Sequence, residues 1–203
     1  MSAHGGARGD SSPARAAGEL SLRDAKNAVA IRESLDADMP TIHGIYAHHV
    51  LNGLGSFEET PPELAELQRR RAEILARGLP YLVGELDGRI AGYAYVGPYR
   101  PRSAYRFSVE DSIYVAPDFH RCGVGRVLLA ELIGRATALG YRQMVAVIGD
   151  SANYGSIGVH AAQGFVRVAL LPAIGFKFGR WVDGVMMQRA LGEGQTTLPR
   201  ERR

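Results

Sequence analysis

Hydrophobic residues recur along this chain with two different periods, and segments of the two kinds alternate. Short apolar or alternating segments are typical of strands, whereas apolar residues three and four positions apart are typical of amphipathic helices. The pattern predicts seven strands, at 28–31, 81–86, 89–96, 110–115, 143–148, 165–171 and 181–191, and four helices, at 38–51, at 60–77, from the turn at 123–125 to 140, and at 153–163. We therefore expect an α/β (α+β) domain with parallel and antiparallel strand pairs.

Local signals support several of these boundaries. The dipeptide Asp-Gly at 87–88 lies between two strands and is typical of a two-residue hairpin turn. Thr60 with Glu63 three residues later has the form of a capping box, so we expect the second helix to begin there. The three consecutive arginines at 69–71 in that helix are interpreted as a solvated face.

The two ends of the chain lack this periodicity. Residues 1–28 are rich in Gly, Ala, Ser and Arg, and residues 192–203 are polar. We predict disordered tails over both segments. The folded domain is predicted to cover residues 29–191, a length that fits one domain with its own core.

Composition narrows the class of protein. The formal net charge of +3 is too small to favour a nucleic-acid partner, and the single cysteine, Cys122, cannot form an internal disulfide. There is neither an apolar run long enough to span a membrane nor a signal-peptide pattern, so we expect a cytoplasmic protein without a membrane partner. His43, His48 and His49 lack accompanying cysteine or carboxylate spacing, so no metal site is predicted.

The segment between the fourth predicted strand and the third helix carries candidate chemistry. Gly123 and Gly125 free the backbone where it must turn, and the following helix begins with N–H groups that have no partner within the helix. With Arg121 and Arg126 beside them, these groups suit a phosphate or pyrophosphate; an ordinary strand-to-helix turn is the alternative. Leu128 stands where a dinucleotide fingerprint needs a third glycine, and the Gly-Lys-Ser/Thr of a P-loop is absent, so both motifs are excluded.

The turn at 120–125, His-Arg-Cys-Gly-Val-Gly, resembles the acetyl-CoA turn of the GNAT N-acetyltransferases. Its signature is Gln or Arg, two residues, Gly, one residue, then Gly or Ala, and His120 departs from the usual first residue. The predicted order of strands and helices is also that of the GNAT fold. The resemblance implies a GNAT acyl-CoA N-acyltransferase fold, with a central mixed, mostly antiparallel sheet flanked by helices, and acetyl-CoA as the acetyl donor without a metal.

Three further segments, at 93–105, 108–115 and 145–165, resemble the phosphinothricin and methionine sulfoximine N-acetyltransferases. The resemblance implies direct acetylation of the α-amino group of a small amino acid or analogue, such as phosphinothricin or methionine sulfoximine, by a homodimer. Other classes stay open at this point. The acceptor could be another amine, such as a polyamine, an aminoglycoside or a protein N-terminus, or the chain could be a non-catalytic acyl-CoA-binding sensor.

Acetyl transfer to an amine needs a base, because an alkyl amine is mostly protonated at neutral pH. Glu110 is the candidate, and the family's catalytic glutamate falls on it. Asp111 is the rival, but strand alternation places it on the opposite face. By the same resemblance His160 is an acid for the departing thiolate or part of proton transfer from the amine, with a structural role as the alternative. Cys122 is not expected to carry an acyl group.

The acetyl-CoA site is expected to combine the strand, the turn and the last helix. A backbone N–H near Tyr114 and Val115 would stabilise the developing oxyanion, and Asn153 would bind the pantetheine arm. The predicted acetyl-CoA residues are Ile113, Tyr114, Val115, Arg121, Cys122, Gly123, Val124, Gly125, Arg126, Asn153 and Ser156.

The acceptor site is expected to bind an anionic small molecule, because an arginine can hold a carboxylate or phosphinate with two parallel hydrogen bonds. Arg100, Arg102 and Tyr105 are the predicted donors, on one short segment after a strand. Phe57, Val147 and Gly149 complete the predicted acceptor residues, the first two as apolar walls.

Overall fold

The structure is a computed structural model that describes Met1 and residues 28–200. Apart from Met1 and Ala28, the predicted N-terminal tail therefore lies outside the described residues, as do residues 201–203 of the predicted C-terminal tail. Residues 192–200 make turns, and Arg142 donates hydrogen bonds to Thr197 Oγ1 at 3.0 Å and to the Leu198 carbonyl at 3.3 Å.

The described residues form seven strands and four helices in the predicted order. The strands are β1 (Ala30–Glu33), β2 (Tyr81–Leu86), β3 (Arg89–Pro98), β4 (Ser108–Val115), β5 (Gln143–Gly149), β6 (Val166–Lys177) and β7 (Arg180–Ala190). The helices are α1 (Met39–Asn52), α2 (Leu64–Ala76), α3 (Val124–Ala138) and α4 (Tyr154–Ala162). None of the helices in this part of the chain is long and apolar enough to cross a membrane.

All seven strands belong to one sheet, in the order β1-β2-β3-β4-β5-β7-β6. The neighbouring strands pair antiparallel except for β4 and β5, which run parallel. The parallel pairing covers residues 108–111 of β4 and 143–146 of β5. Beyond it, β4 stays paired with β3 as far as Val115, while β5 stays paired with β7 as far as Gly149. The two central strands therefore part halfway along their length.

Helices cover both faces of this sheet. Leu128, Leu129 and Leu132 of α3 pack with Leu82 and Met144 on one face. On the other face, α1 and α2 cover a group of stacked tyrosines, in which the ring centroids of Tyr93 and Tyr114 lie 5.2 Å apart. Because both faces are buried, neighbouring residues of β4 point into two different environments.

Two predictions about α2 are wrong. The helix begins at Leu64 rather than Thr60, and its cap, Glu63, makes no side-chain capping bond. The reason is that Thr60 and Pro61 both precede a proline, which disfavours helical backbone. The arginines at 69–71 are also not one solvated face: Arg71 is buried and donates to Ser34 Oγ at 2.7 Å and to Asp36 Oδ1 at 2.6 Å.

The sixth strand is longer than the pattern predicts. It was expected to end at 171 but continues to Lys177, with a register shift between Leu171 and Gly175. Ala173 within that shift has a φ of 52°. Pro172 has no N–H to donate to the sheet, so the sequence pattern typical of a strand ends there. The strand nevertheless continues past Pro172 through the irregular register.

Candidate active site

The parting of β4 and β5 leaves backbone groups of β4 open. The Ala116 N–H donates to the Ala91 carbonyl of the β3 side at 2.8 Å, so the even-numbered residues of β4 direct their backbone groups towards β3. The backbone groups of Ile113 and Val115 therefore face the gap that β5 has left. Of the predicted oxyanion donors, Val115 has its N–H on the open side, whereas the Tyr114 N–H faces β3.

Two histidines lie at the end of this open edge. His49 Nε2 donates to the Val115 carbonyl at 2.9 Å, and His120 Nε2 lies 3.3 Å from the same oxygen. Burial lowers the pKa of His49, against the effect of its bond to that carbonyl. Through its bond to the Val115 carbonyl, His49 links α1 to the end of β4.

The turn after β4 has the geometry of an anion site. Arg121 and Gly123 have φ values of 65° and 81°, so the chain reverses sharply before α3 begins at Val124. No side chain caps this helix. The first N–H groups of α3, from Val124, Gly125 and Arg126, lack intrahelical partners, which is the feature by which helix N-termini can bind anions. Arg121 and Arg126 are exposed beside them.

Glu110 lies on the α1 and α2 side of the sheet, on the same face of β4 as Tyr114. Its side chain is one-third exposed, and Oε2 lies 3.7 Å from Nη1 of Arg100. Burial raises the pKa of Glu110 above the ordinary value of 4.5, Arg100 opposes that rise, and Asp111 adds to it. A half-buried carboxylate with a raised pKa is a better proton acceptor than an exposed glutamate.

Asp111 and His160 lie together on the other face. His160 Nε2 is 2.9 Å from Asp111 Oδ2, and both side chains are buried. His160 Nδ1 is 2.7 Å from the Ser156 carbonyl. The structure thus places the two predicted catalytic residues, Glu110 and His160, on opposite faces of β4 and does not bring them together.

At the start of α4, Asn153 acts as the helix cap. Its Oδ1 accepts a hydrogen bond from the Ser156 N–H at 3.2 Å, and its Nδ2 is 3.5 Å from the Gly149 carbonyl. The side chain that was expected to bind the pantetheine arm therefore first fixes the end of β5 against α4. Its use for that arm stays a prediction.

The predicted acceptor residues fall into two groups. Arg100, Arg102 and Tyr105 line a cavity of about 240 Å³ beyond the end of β3, beside the start of β4. Phe57 packs at the far end of β5, where a Cβ atom on Gly149 would lie 3.0 Å from its ring. Since Glu110 is level with Val145 of β5, Gly149 lies roughly 13 Å further along the sheet.

One member of each group nevertheless lies on the same side of the sheet as Glu110: Arg100, which is 3.7 Å from its carboxylate, and Val147. Val145 and Val147 alternate with Met144, Ala146 and Ile148, which belong to the core on the α3 side. Val147 is exposed on the opposite face, the face that carries Glu110. Glu110 therefore lies between Arg100, which lines the cationic cavity, and the exposed Val147 further along β5.

The sequence of residues 41–165 matches the acetyltransferase (GNAT) family. The chain belongs to that family. A phosphinothricin N-acetyltransferase from Alcaligenes faecalis is 55% identical over 175 residues, which are 86% of this chain and 89% of that protein. An L-methionine sulfoximine/L-methionine sulfone acetyltransferase from Pseudomonas paraeruginosa is 41% identical over 160 residues, 78% of this chain and 92% of that protein.

Comparison with solved structures shows that the fold is also that of the GNAT family. A GNAT superfamily phosphinothricin acetyltransferase from Sinorhizobium meliloti, in complex with acetyl-CoA, superposes with a TM-score of 0.82 and 49% identity, covering 85% of this chain and 94% of that chain. The predicted fold and family are confirmed. This chain is an acetyltransferase, and acetyl-CoA is the co-substrate of its family.

One residue of this GNAT site was missed by sequence reasoning. Lys177 is only 1% exposed, and its Nζ donates to the carbonyls of Gly53 at 2.9 Å and Ser56 at 2.7 Å. It thereby fixes the loop that carries Phe57. The only sequence signal is a lone lysine between two phenylalanines in a strand, which does not reveal its partners because they lie more than 120 positions away.

Gly125→Asp tests the turn. A carboxylate on this residue would repel a pyrophosphate and occupy the space in front of the open N–H groups. We expect acetyl-CoA affinity, measured by calorimetry, to fall by about a hundredfold. Gly125→Asn is the matched control, because it has the same size without the charge, and should lose less. Equal affinity of wild type and Gly125→Asp would exclude this turn as the phosphate site.

Proposed function

We propose that this enzyme transfers the acetyl group of acetyl-CoA directly to the α-amino group of a small amino acid or analogue such as phosphinothricin or methionine sulfoximine. The observation that carries the proposal is the position of Glu110, beside the open edge of β4 and next to the arginine-lined cavity. The similarity to phosphinothricin and methionine sulfoximine acetyltransferases supports the same acceptor class.

The turn and the open strand edge suit the two parts of acetyl-CoA. The N–H groups of Val124, Gly125 and Arg126 would hold the pyrophosphate. The N–H and carbonyl of Ile113 and the N–H of Val115 would pair with the pantetheine arm, much as a further strand would, whereas the Val115 carbonyl is already bound by His49. In this arrangement the Val115 N–H would donate a hydrogen bond to the oxyanion that forms from the thioester carbonyl.

Glu110 would accept the proton of the acceptor's ammonium group. The neutral nitrogen then attacks the thioester carbon, and the carbon–sulfur bond breaks with the electron pair staying on sulfur. The nitrogen loses a second proton as the amide forms, and the thiolate takes up one proton, so the protons balance. Cys122 has no part in this scheme, because it is exposed on the turn with its Sγ 3.6 Å from the His120 carbonyl. Transfer is therefore direct, without an acyl-enzyme.

The acceptor's acidic groups would bind in the cationic cavity. Arg100 stacks over the Tyr99 ring at 4.5 Å and lies beside Glu110, while Arg102 and Tyr105 are exposed at the cavity rim. A carboxylate or phosphinate held there would direct the α-amino group towards Glu110. Cationic acceptors such as polyamines are disfavoured, because they would face arginines.

We also propose that the enzyme is a homodimer that pairs through the hairpin of β6 and β7. β6 is an edge strand of twelve residues and exposes apolar side chains over most of its length. Ile174, Phe176 and Trp181 are all more than half exposed, and the last two rings pack together at 5.2 Å. An open apolar edge can pair with a second copy of itself about a two-fold axis.

Glu110→Gln tests the base. The amide keeps the shape of the side chain but cannot accept the proton, so turnover should fall by about a hundredfold or more while acetyl-CoA affinity stays unchanged. In wild type, activity should rise with pH through a value above 4.5, because burial raises the pKa of Glu110, and the variant should lack this limb. Glu73→Gln, on an exposed helix, is the control. Undiminished turnover of Glu110→Gln at neutral pH would move the role elsewhere.

Arg102→Ala tests the acceptor class. Turnover on phosphinothricin, methionine sulfone, free methionine and spermidine is compared for wild type, Arg102→Ala and Arg102→Lys. We expect the alanine variant to raise KM about tenfold or more for the acidic acceptors, with the lysine variant in between because it keeps charge without the two parallel bonds. Spermidine as the best acceptor of wild type would overturn the proposed substrate class.

Trp181→Asp tests the dimer. Sedimentation should give wild type about twice the chain mass of 21.9 kDa, and the variant the mass of one chain, because an aspartate would be buried unpaired at the interface. Tyr154→Asp, an exposed aromatic residue on α4, is the control and should leave the mass unchanged. A wild-type mass of 21.9 kDa would exclude the dimer.

A further inference from the structure

The contact between Asp111 and His160 joins the catalytic strand to the last helix. Asp111 follows Glu110 directly on β4, and His160 lies in the last turn of α4. The side chains of Asp111 and His160 are 2% and 5% exposed, so the pair is shielded from solvent on both sides. This contact therefore couples a residue next to the proposed base to the helix that borders the acetyl-CoA site.

Every polar atom of the His160 ring is engaged. Nδ1 lies 2.7 Å from the Ser156 carbonyl, which can only accept, so Nδ1 carries a proton. Nε2 lies 2.9 Å from Asp111 Oδ2, so one further proton is held between ring and carboxylate. The ring of Phe165 packs edge-on to the imidazole, with the two ring centroids 5.1 Å apart and an angle of 89° between the ring planes. No ring nitrogen is left to face a thiolate or an amine in the cleft.

The titration of His160 agrees with this geometry. Burial alone lowers its pKa, but the hydrogen bond from the ring to Asp111, the charge of Asp111 and the Ser156 carbonyl outweigh burial, so the net pKa is raised. The groups that face the ring are Asp111 from β4, Ser156 from α4 and the uncharged Phe165. The two contacts that leave the ring without a free N–H are therefore also the ones that raise its pKa.

The attachment of α4 depends on this pair. The helix has nine residues, all described by the structure, and His160 alone among them is buried. Ile157 and Val159 are partly buried against the core, while the polar first turn with Asn153 and Ser156 borders the gap between β4 and β5. The position of that first turn therefore depends on the contact between Asp111 and His160 as well as on the contact of Asn153 with the Gly149 carbonyl.

We propose that Asp111 and His160 are a positioning pair, which sets the distance between α4 and the open edge of β4, and that His160 is not the acid that protonates the thiolate. This inference rests on the proposed function, since the gap it sets is the acetyl-CoA site. A shift of α4 would misplace Asn153 and Ser156 relative to Ile113 and Val115. The expected effect of disrupting the pair is therefore weaker acetyl-CoA binding rather than loss of a proton-transfer step.

Two substitutions at Asp111 separate positioning from acid catalysis. Asp111→Asn keeps a hydrogen bond, because the amide N–H can donate to a neutral Nε2, but removes the charge that raises the pKa of His160. Asp111→Ala removes the contact and leaves Nε2 buried without a partner. For a positioning pair, the dissociation constant of acetyl-CoA should rise about tenfold in Asp111→Ala and stay within about threefold of wild type in Asp111→Asn.

An acid role for His160 gives a different result. Asp111→Asn would then lower kcat as strongly as Asp111→Ala and move the basic limb of the pH profile to lower pH, while acetyl-CoA affinity stayed normal. That outcome overturns the proposal. His160→Gln, whose amide can donate to Asp111, should likewise keep more of the wild-type affinity and kcat than His160→Phe; equal loss of kcat in both would also overturn it.

The measurements test the positioning pair separately from the proposed acceptor class. Calorimetry with acetyl-CoA needs no acceptor, so a wild-type enzyme that failed to acetylate any amino acid would end the proposed function without deciding the positioning pair. Urea unfolding of each variant checks the fold. Should Asp111→Ala fail to fold, the comparison of Asp111→Asn and His160→Gln with wild type still decides between the two roles.

Discussion

The parting of β4 and β5 is the constraint on which the site depends. The two strands pair over four residues and then follow different partners, β3 on one side and β7 on the other. If β4 and β5 were paired over their full length, the backbone groups of Ile113 and Val115 would be hydrogen-bonded to β5. Because they are not, the N–H and carbonyl of Ile113 and the N–H of Val115 have no strand partner, while His49 binds the Val115 carbonyl. The turn that opens α3 lies at the end of this row. Acetyl-CoA is a long, polar chain with a charged end, which this arrangement suits.

Strand alternation then divides two adjacent carboxylates between two tasks. Glu110 points to the face that carries the cationic cavity, stays partly exposed and has a raised pKa. Asp111 points to the other face, where it is buried against His160. One oxygen of Asp111, Oδ1, is buried with no hydrogen-bond partner among the described residues, so the carboxylate relies on the single strong bond to the imidazole. The two neighbouring acids thus differ in chemistry because successive side chains of a strand point to opposite faces of the sheet.

Buried cations hold the loops around this centre. Arg71 anchors α2 to Ser34 and Asp36, and Lys177 anchors the loop after α1 through two carbonyls. Lys177 has no carboxylate within bonding distance among the described residues, and burial lowers its pKa accordingly. Such charges are costly to bury unless their hydrogen bonds are made, so each loop is held in a defined position. The loop fixed by Lys177 brings Phe57 onto Gly175, where a Cβ atom would lie 2.7 Å from its ring, and the Leu54 carbonyl onto Gly149, where a Cβ atom would collide with that oxygen.

The sequence by itself determined the order of the elements, the hairpin at 87–88, the glycine turn before α3 and the family, because local periodicity and turn chemistry specify these features within a few residues. It also determined that Glu110 and Asp111 face opposite ways. Only the tertiary structure decided that His160 binds Asp111, that Arg71 is buried and that Lys177 fixes a loop. Each of these depends on partners far apart in the chain, whose meeting is set by sheet order and helix packing. The start of α2 was misjudged for a local reason, since the two prolines outweigh the capping pattern of Thr60 and Glu63.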